Sequence, residues 1–307
     1  QEYLKDFIPE LNENIILKDQ KIKINFDNRK LQVKGEGKVK FENYFEDIKF
    51  NVSKIENKFN FNSQIDLKET LLKIDFLDFK NNNKLKTQIK ISGNYNTEDS
   101  LHLKDLSIIN KDNKLIIRNI FLDQENLIEK IDEANLEFFD SQDKKNKVLL
   151  KKINDNEYQI NGLVFNADKL IDNLLDNKKN NNSKLFKSDF KLTLNIKEVY
   201  LDSKNIINNL IGKLNIKNNE IHTSDISGDF DNQNNFKFTV NTNNIGEKIT
   251  TLYSSRAKPI VSRYKFVKGY EEGYLDFYSS KKNKISKSQL KIYDFKLQEL
   301  PTLTKLL

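Results

Sequence analysis

The residues that could do chemistry are few, and none of them has the neighbours that a catalytic site requires. His102 and His222 are the two histidines, and each occupies a polar position between apolar or β-branched neighbours. A zinc site needs several ligands, and a nucleophile needs an adjacent base. No HExxH, GxSxG or CxxC spacing occurs in the chain. We therefore interpret both residues as solvent-facing histidines, and we predict a protein that is not an enzyme and that uses no metal or cofactor.

The sequence also lacks the residue types or motifs that other kinds of reactive site need. The chain contains no cysteine, which excludes thiolate ligands, thiol nucleophiles and disulfides. Gly35-Glu36-Gly37 is too short to be a phosphate-cradling loop, because no Lys-Ser/Thr pair follows it. Carboxylates are abundant, but only geometry could select a catalytic pair among them.

The charged residues are typical of a solvated surface. The chain has 52 Lys and Arg against 45 Asp and Glu, for a net charge of +7, and the two signs are interleaved. A nucleic-acid-binding protein would be expected to gather its basic residues into one stripe. The densest basic run, residues 281–284, falls where we expect a hairpin turn. We therefore predict no nucleic-acid partner, while a modest attraction to anionic lipid headgroups is compatible with the charge.

The strongest pattern is an alternation of apolar with polar residues, which places one set of side chains on one face of a β-strand. It recurs along the whole chain, for example in segments 22–26, 48–52 and 190–196. Turn residues such as Gly93-Asn94 separate the segments at short intervals. This pattern is typical of antiparallel meanders and predicts an all-β protein with one apolar and one polar face.

Three segments have helical spacing of their apolar residues. They cover about 166–176, with Asn166 as the N-cap, about 245–253, and 301–307, which opens with Pro301. Their apolar stripes are more typical of packing than of binding, so we expect these helices to cap or plug the sheet.

An amphipathic sheet must hide its apolar face, and periodicity leaves three ways of doing so. A sandwich covers the face with a second sheet, a barrel closes on itself, and an open sheet covers it with a bound apolar ligand. Periodicity alone favours the sandwich or barrel, because burial within the protein is the common solution.

The C-terminal part of the chain resembles the AsmA-like family, and within it the YhdP group. A strand entering a "DA..L" helix is matched by residues 158–171, and an "l.G.f" strand by 223–230. A helix start is matched by 243–246 and a strand start by 272–275. Residues 292–307 resemble the family's "I.DF.l..aP.La.LL" signature, which is the most specific of these motifs.

The resemblance implies an elongated antiparallel β-meander curled into an open groove, with a repetitive groove segment at 1–157 and an AsmA-like module at 158–307. It implies a protein of the periplasm of a Gram-negative bacterium that conducts phospholipid between the inner and outer membranes. The chain begins at Gln1 and contains no methionine. We therefore expect it to be a fragment, anchored to the inner membrane by a segment outside this sequence.

The expected partners are phospholipids and the two membranes, with other envelope proteins as further candidates. The apolar face itself would be the lipid-binding site. Its candidate residues are Phe59, Phe61, Leu72, Ile74, Phe76, Ile89, Ile91, Phe190, Leu192, Leu194, Ile196, Phe236, Phe238 and Val240.

Two alternatives remain open at this stage. One is a scaffold for outer-membrane protein assembly, as the related TamB group suggests, which would bind client strands at a sheet edge. The other is a closed β-sandwich surface domain, in which the apolar face is wholly internal.

Overall fold

A computed structural model gives the architecture of the chain. It describes residues 16–27, 29–41, 43–81, 85–96, 101–125, 127–175, 186–231, 234–261, 270–283 and 285–297. These residues fall into two compact units. Those within 1–152 and 182–187 form the N-terminal unit, and those within 153–181 and 188–307 form the C-terminal unit.

The N-terminal unit is an antiparallel meander whose strands pair in chain order, except for two short strands, 73–74 and 79–80, that form a separate two-stranded sheet. Its strands are β1 (Leu17–Asp27), β2 (Lys30–Phe41), β3 (Tyr44–Ile55), β4 (Lys58–Leu67), β5 (Lys73–Ile74), β6 (Phe79–Lys80), β7 (Thr87–Asn96), β8 (Leu101–Ile109), β9 (Lys114–Leu122), β10 (Ile128–Phe139) and the first part of β11 (Lys145–Asn154).

The register of this meander puts the apolar residues on one face, which we call the N-terminal apolar face. Residues directly opposite on paired strands point to the same side of a sheet. One row across it runs through Ile24, Val33, Val52 and Phe61. A second row runs through Ile48, Ile65, Ile89, Ile108, Leu115, Leu136 and Val148.

A short inserted segment, residues 68–81, covers one strand end of this face, and we call it the N-terminal cap. It contains β5, a 3-10 turn at Asp75–Leu77 and β6. Its Phe79 packs edge-on against Phe138 of β10, with ring centroids 5.7 Å apart. The cluster formed by cap and sheet is the main core of the unit: Leu67, Leu72, Ile74, Phe79, Ile89, Leu115 and Phe138.

The C-terminal unit is also mostly an antiparallel meander. Its strands are β12 (Glu157–Asn166), β13 (Phe190–Tyr200), β14 (Ile206–Lys217), β15 (Glu220–Asp231), β16 (Asn234–Thr242), β17 (Lys248–Ser254), β18 (Tyr270–Lys282) and β19 (Ile285–Leu297), and its helices are α1 (Asp168–Leu175) and α2 (Lys258–Val261).

One pair in this unit is parallel. The strands β12 and β13 run in the same direction, and α1 lies in the connection between them. Parallel neighbours need such a crossover, because a tight turn can only reverse the chain. Asn166 accepts a hydrogen bond from the backbone N–H of Asp168 at 3.1 Å, which caps α1 as the sequence predicts.

Two small helices cover one strand end of the C-terminal sheet. Ile171 of α1 packs against clusters that contain Ile196, Val199 and Ile207. The residues around α2, Ala257 and Val261, are fully buried against Leu275 of β18. Both helices lie on the apolar face. Of the predicted helices, α1 covers the sheet as expected, whereas α2 is a covering helix that the sequence did not predict.

The fold-class prediction is confirmed within each unit, since meander strands dominate and neither set of pairings closes into a barrel. The helix predicted at 166–176 is confirmed as α1. The helix predicted at 301–307 lies outside the described residues.

The helix predicted at about 245–253 is wrong, because β17 occupies most of this segment. Asn243 Oδ1 accepts hydrogen bonds from the N–H groups of Ile245 and Glu247, and Gly246 has a φ of 74°. This tight turn leads directly into the strand. The apolar residues Ile249 and Leu252 fit a helical spacing, but they are three apart within a strand that pairs on both sides.

Candidate functional site

The candidate site residues on β4 and β7 lie together on the N-terminal apolar face. Phe61 faces Gly93, and Phe59 faces Tyr95, whose ring centroid is 6.4 Å from that of Phe59. Ile89 and Ile91 belong to the same face, opposite Ile65 and Ser63. The four predicted sheet residues, Phe59, Phe61, Ile89 and Ile91, therefore form one continuous patch.

The other predicted residues of this unit lie in the N-terminal cap. Leu72 and Ile74 are buried against the sheet instead of forming its floor. Phe76 lies in the 3-10 turn that follows. Leu72 and Ile74 thus close one end of the apolar face.

The candidate residues of β13 and β16 also share a face, which we call the C-terminal apolar face. Leu194 faces Gly212, which faces Ile226, which in turn faces Phe238. The neighbouring row joins Leu192 to Val240 through Leu214 and Ser224. All seven predicted residues belong to this face: Phe190, Leu192, Leu194, Ile196, Phe236, Phe238 and Val240.

Away from the caps, the apolar faces are accessible to solvent. In β1, Ile24 is 65% exposed and Phe26 is 76% exposed, and in β19 Leu290 is 42% exposed. Leu192, Leu194 and Phe238 are half-buried. Fully internal faces would have buried such residues, so the closed sandwich does not describe these strands.

Glycines let aromatic rings lie flat on the N-terminal apolar face. A Cβ atom at Gly35 would stand 2.3 Å from Cζ of Phe50, and one at Gly93 would stand 2.9 Å from Cζ of Phe61. The interpretation of Gly93-Asn94 as a turn is wrong, because both residues lie within β7, and the packing role of these glycines was not predicted. A Gly at an apolar position of an alternating strand is the signal that could have shown this role, because such a Gly marks a place where another group lies close to the backbone.

Glu46 is a carboxylate on the N-terminal apolar face, opposite Val39, and is only 1% exposed. Its two oxygens accept hydrogen bonds from the backbone N–H groups of Lys68, Glu69 and Thr70 at 2.8, 2.9 and 2.7 Å. Asn81 closes the other end of the segment by accepting from the N–H of Leu72. These bonds attach the cap to the sheet, because a buried carboxylate is retained only when its oxygens are bonded.

The polar faces carry cross-strand ion pairs. Glu137 lies between Lys145 and Lys147, at 2.9 and 3.3 Å, and their hydrogen bonds lower its pKa from the ordinary 4.5. Burial would raise the pKa of Asp66, but hydrogen bonds from Gln88, Lys86 and Gln64 outweigh it and lower the pKa. Such pairs are typical of a solvated sheet surface and hold no reactive group.

His102 lies on the polar face, as the sequence predicts, but it has more contacts than expected. Its ring stacks on Phe121 with centroids 3.9 Å apart, and Asn119 Oδ1 lies 3.1 Å from its Nε2. Asn94 contacts the other ring nitrogen. Within the part of the chain that the structure describes, no three His, Asp or Glu side chains cluster in a way that could hold a metal.

Two concavities lie against the polar side of the C-terminal unit. One of about 680 Å³ is lined mainly by residues of the polar face, such as Lys191, Lys213 and Asp225. One of about 380 Å³ is lined by residues that include Tyr253, Tyr278 and Tyr293. Of the candidate apolar residues, Leu192 contributes to the lining of the first concavity.

Comparisons with known proteins found no match to the chain among family models, curated proteins or solved structures. No helix among the described residues combines the length and the hydropathy needed to cross a bilayer. The function is therefore inferred from the fold, the side chains and the sequence motifs of the chain itself.

Proposed function

We propose that the chain is a non-enzymatic lipid-conducting segment, in which the apolar faces of the two units accommodate the acyl chains of phospholipids. The observation that carries this proposal is the continuous, solvent-accessible apolar face of each meander. Contiguous exposed apolar patches that extend over several strands are typical of surfaces that bind a partner protein or a lipid.

The energetic need for such a face is large. Acyl chains gain roughly 0.8 kcal/mol for each methylene removed from water, so a 16-carbon chain faces a cost of about 13 kcal/mol to cross an aqueous space. A continuous apolar strip lowers this barrier along the whole path. It needs no catalytic group, since no bond is made or broken.

The side chains suit movement more than tight binding. Phe, Ile and Leu line the N-terminal apolar face row after row, and its buried carboxylate Glu46 has both oxygens engaged by the cap. A lipid on such a surface meets few groups that would fix it in one place. The resemblance to the AsmA-like family supports the same reading and extends it to transport between the inner and outer membranes across the periplasm.

The proposal is tested by photo-crosslinking in cells. Benzophenone amino acids at the positions of Leu192, Leu194 or Phe238 should capture phospholipid, because these side chains lie on the C-terminal apolar face. The same probe at Lys191 or Lys237 is the control, since both lie on the polar side and Lys237 pairs with Asp225.

Capture of lipid only from the two lysine positions would contradict the proposal. Capture of other proteins without lipid would favour the alternative, in which the sheet binds client strands during outer-membrane protein assembly.

A further inference from the structure

The last three strands of the C-terminal unit carry a gradient of polarity along the apolar face. Residues of β17, β18 and β19 that face each other form rows across the sheet, and each row differs in character from the next. Counted from the α2 end, the first row is Ser254, Leu275 and Ile292, and the second is Leu252, Phe277 and Leu290. The third row is Thr250, Ser279 and Ser288, and the fourth is Lys248, Lys281 and Ser286.

Apart from Ser254, the first two rows are apolar, and the first of them is covered by α2. Leu275 is fully buried beneath α2, where it packs with Ala257 and Val261. Phe277 and Ile292 are partly buried against the same cluster, while Leu290 of the second row is open to solvent. An apolar chain lying along these two rows would therefore be covered by α2 at one end and would extend toward the third and fourth rows at the other.

The third row replaces apolar groups with hydroxyls on the same face. Ser279 Oγ lies 2.9 Å from Ser288 Oγ and 3.3 Å from Ser286 Oγ. Hydroxyl groups both donate and accept hydrogen bonds, so this row suits the ester and glycerol oxygens between an acyl chain and a headgroup.

The fourth row places two cations directly opposite each other, Lys248 on β17 and Lys281 on β18. Like charges in this position destabilise a sheet unless an anion lies between them. Lys248 donates to Glu220 at 3.3 Å, and Lys281 is exposed and forms no ion pair with any described residue. One positive charge at the end of the apolar strip is thus left for an external anion.

From these rows we infer that the β17–β19 strip binds a phospholipid with an anionic headgroup, its phosphate at Lys281 and its acyl chains pointing toward α2. Lys281 lies six positions after Leu275, which is about 20 Å of strand. This length is comparable with half the hydrocarbon thickness of a bilayer, about 15 Å. The inference rests on the proposed lipid-conducting function and adds a headgroup class and an orientation to it.

The test uses a benzophenone amino acid at the position of Leu290 in the full chain. The protein is mixed with vesicles of phosphatidylcholine that contain either phosphatidylglycerol or further phosphatidylcholine, and captured lipid is identified by mass spectrometry. We expect preferential capture of phosphatidylglycerol, and Lys281→Ala should lower that capture roughly fivefold, the loss of one cation near an anionic headgroup.

Lys282→Ala is the matched control, because Lys282 carries the same charge on the adjacent, opposite-facing position of β18. It should leave the capture unchanged. Equal capture of the two lipids, or equal effects of Lys281→Ala and Lys282→Ala, would overturn the inference.

A second probe at the position of Phe61 separates this inference from the proposed function. Capture at Phe61 without capture at Leu290 would overturn the inference alone. Absence of lipid at both positions would overturn the proposed function as well. Inorganic phosphate added in excess should not compete if the acyl chains supply most of the affinity, and full competition would point to a free-anion site instead.

Discussion

Glu46 shows how a charged residue can be part of an apolar face without giving it a chemical activity. The carboxylate lies opposite Val39 and beside the cap, and its oxygens accept hydrogen bonds from three backbone N–H groups. A buried charge with this many donors stabilises one arrangement of the chain, because removing it leaves the donors without partners. Its role is to hold the N-terminal cap on the sheet.

Replacing this carboxylate should loosen the cap. Glu46→Ala leaves the N–H groups of Lys68, Glu69 and Thr70 without acceptors, at a cost of roughly 3 kcal/mol in the free energy of unfolding. Urea denaturation gives the stability, and hydrogen exchange of these three amides gives the local effect. Glu36→Ala is the control, because Glu36 is an exposed residue 4.0 Å from Lys49 and should cost little. Equal costs for the two variants would contradict the proposed role.

Gly35 is required because the ring of Phe50 occupies the space of a side chain. Gly35→Ala places a Cβ atom 2.3 Å from Phe50 Cζ, so we expect a loss of about 1–3 kcal/mol from overpacking. The same substitution in a Phe50→Leu background should cost less, because the ring is gone. A double-mutant cycle by urea denaturation measures the difference. Additive costs would show that the two residues do not interact.

At the scale of elements, the polar face contributes to stability through pairs such as Glu137 with Lys145 and Lys147. The hydrogen bonds from these lysines lower the pKa of Glu137 below its ordinary 4.5. A carboxylate with a lowered folded pKa adds stability above its unfolded pKa, and this contribution is lost as the pH falls through the folded value.

Glu137→Gln should therefore destabilise the protein at about pH 7 and have a vanishing effect at strongly acid pH. Denaturation midpoints measured across this range would give the pH profile. Glu69→Gln is a suitable control, since the exposed Glu69 side chain forms no ion pair with a described residue. A difference between wild type and Glu137→Gln that stays constant with pH would rule out this linkage.

Alternation predicted the strands well, because a one-residue slip in register would move every apolar side chain to the wrong face. It could not distinguish a strand of the sheet from a segment that packs on it, which is why Leu72 and Ile74 lie in the cap. Nor could it show that Ile245 lies in a turn and Leu252 in a strand, because the turn depends on hydrogen bonds to the side chain of Asn243. Contacts with residues distant in sequence placed Leu72 and Ile74 in the cap, whereas local side-chain hydrogen bonds formed the turn at Asn243.

In the molecule as a whole, each of the two units has an apolar sheet face that must be covered, and each covers it in the same way. Each forms a meander with one apolar face, covers one strand end of that face with an inserted segment, and leaves the remainder accessible. The sequence predicted which residues share the face. It could not predict that the face stays open, because a sandwich and an open sheet have the same alternation.

The proposal that lipid lies on this open face is tested by a scan of consecutive positions along β4. A benzophenone amino acid is placed in turn at each of residues 59–65 of the full chain, and lipid capture from phospholipid vesicles is measured by mass spectrometry. We expect capture with a period of two, high at Phe59, Phe61, Ser63 and Ile65 and low at Asn60, Asn62 and Gln64. Capture that is uniform along the strand, or strongest at the three polar positions, would contradict it.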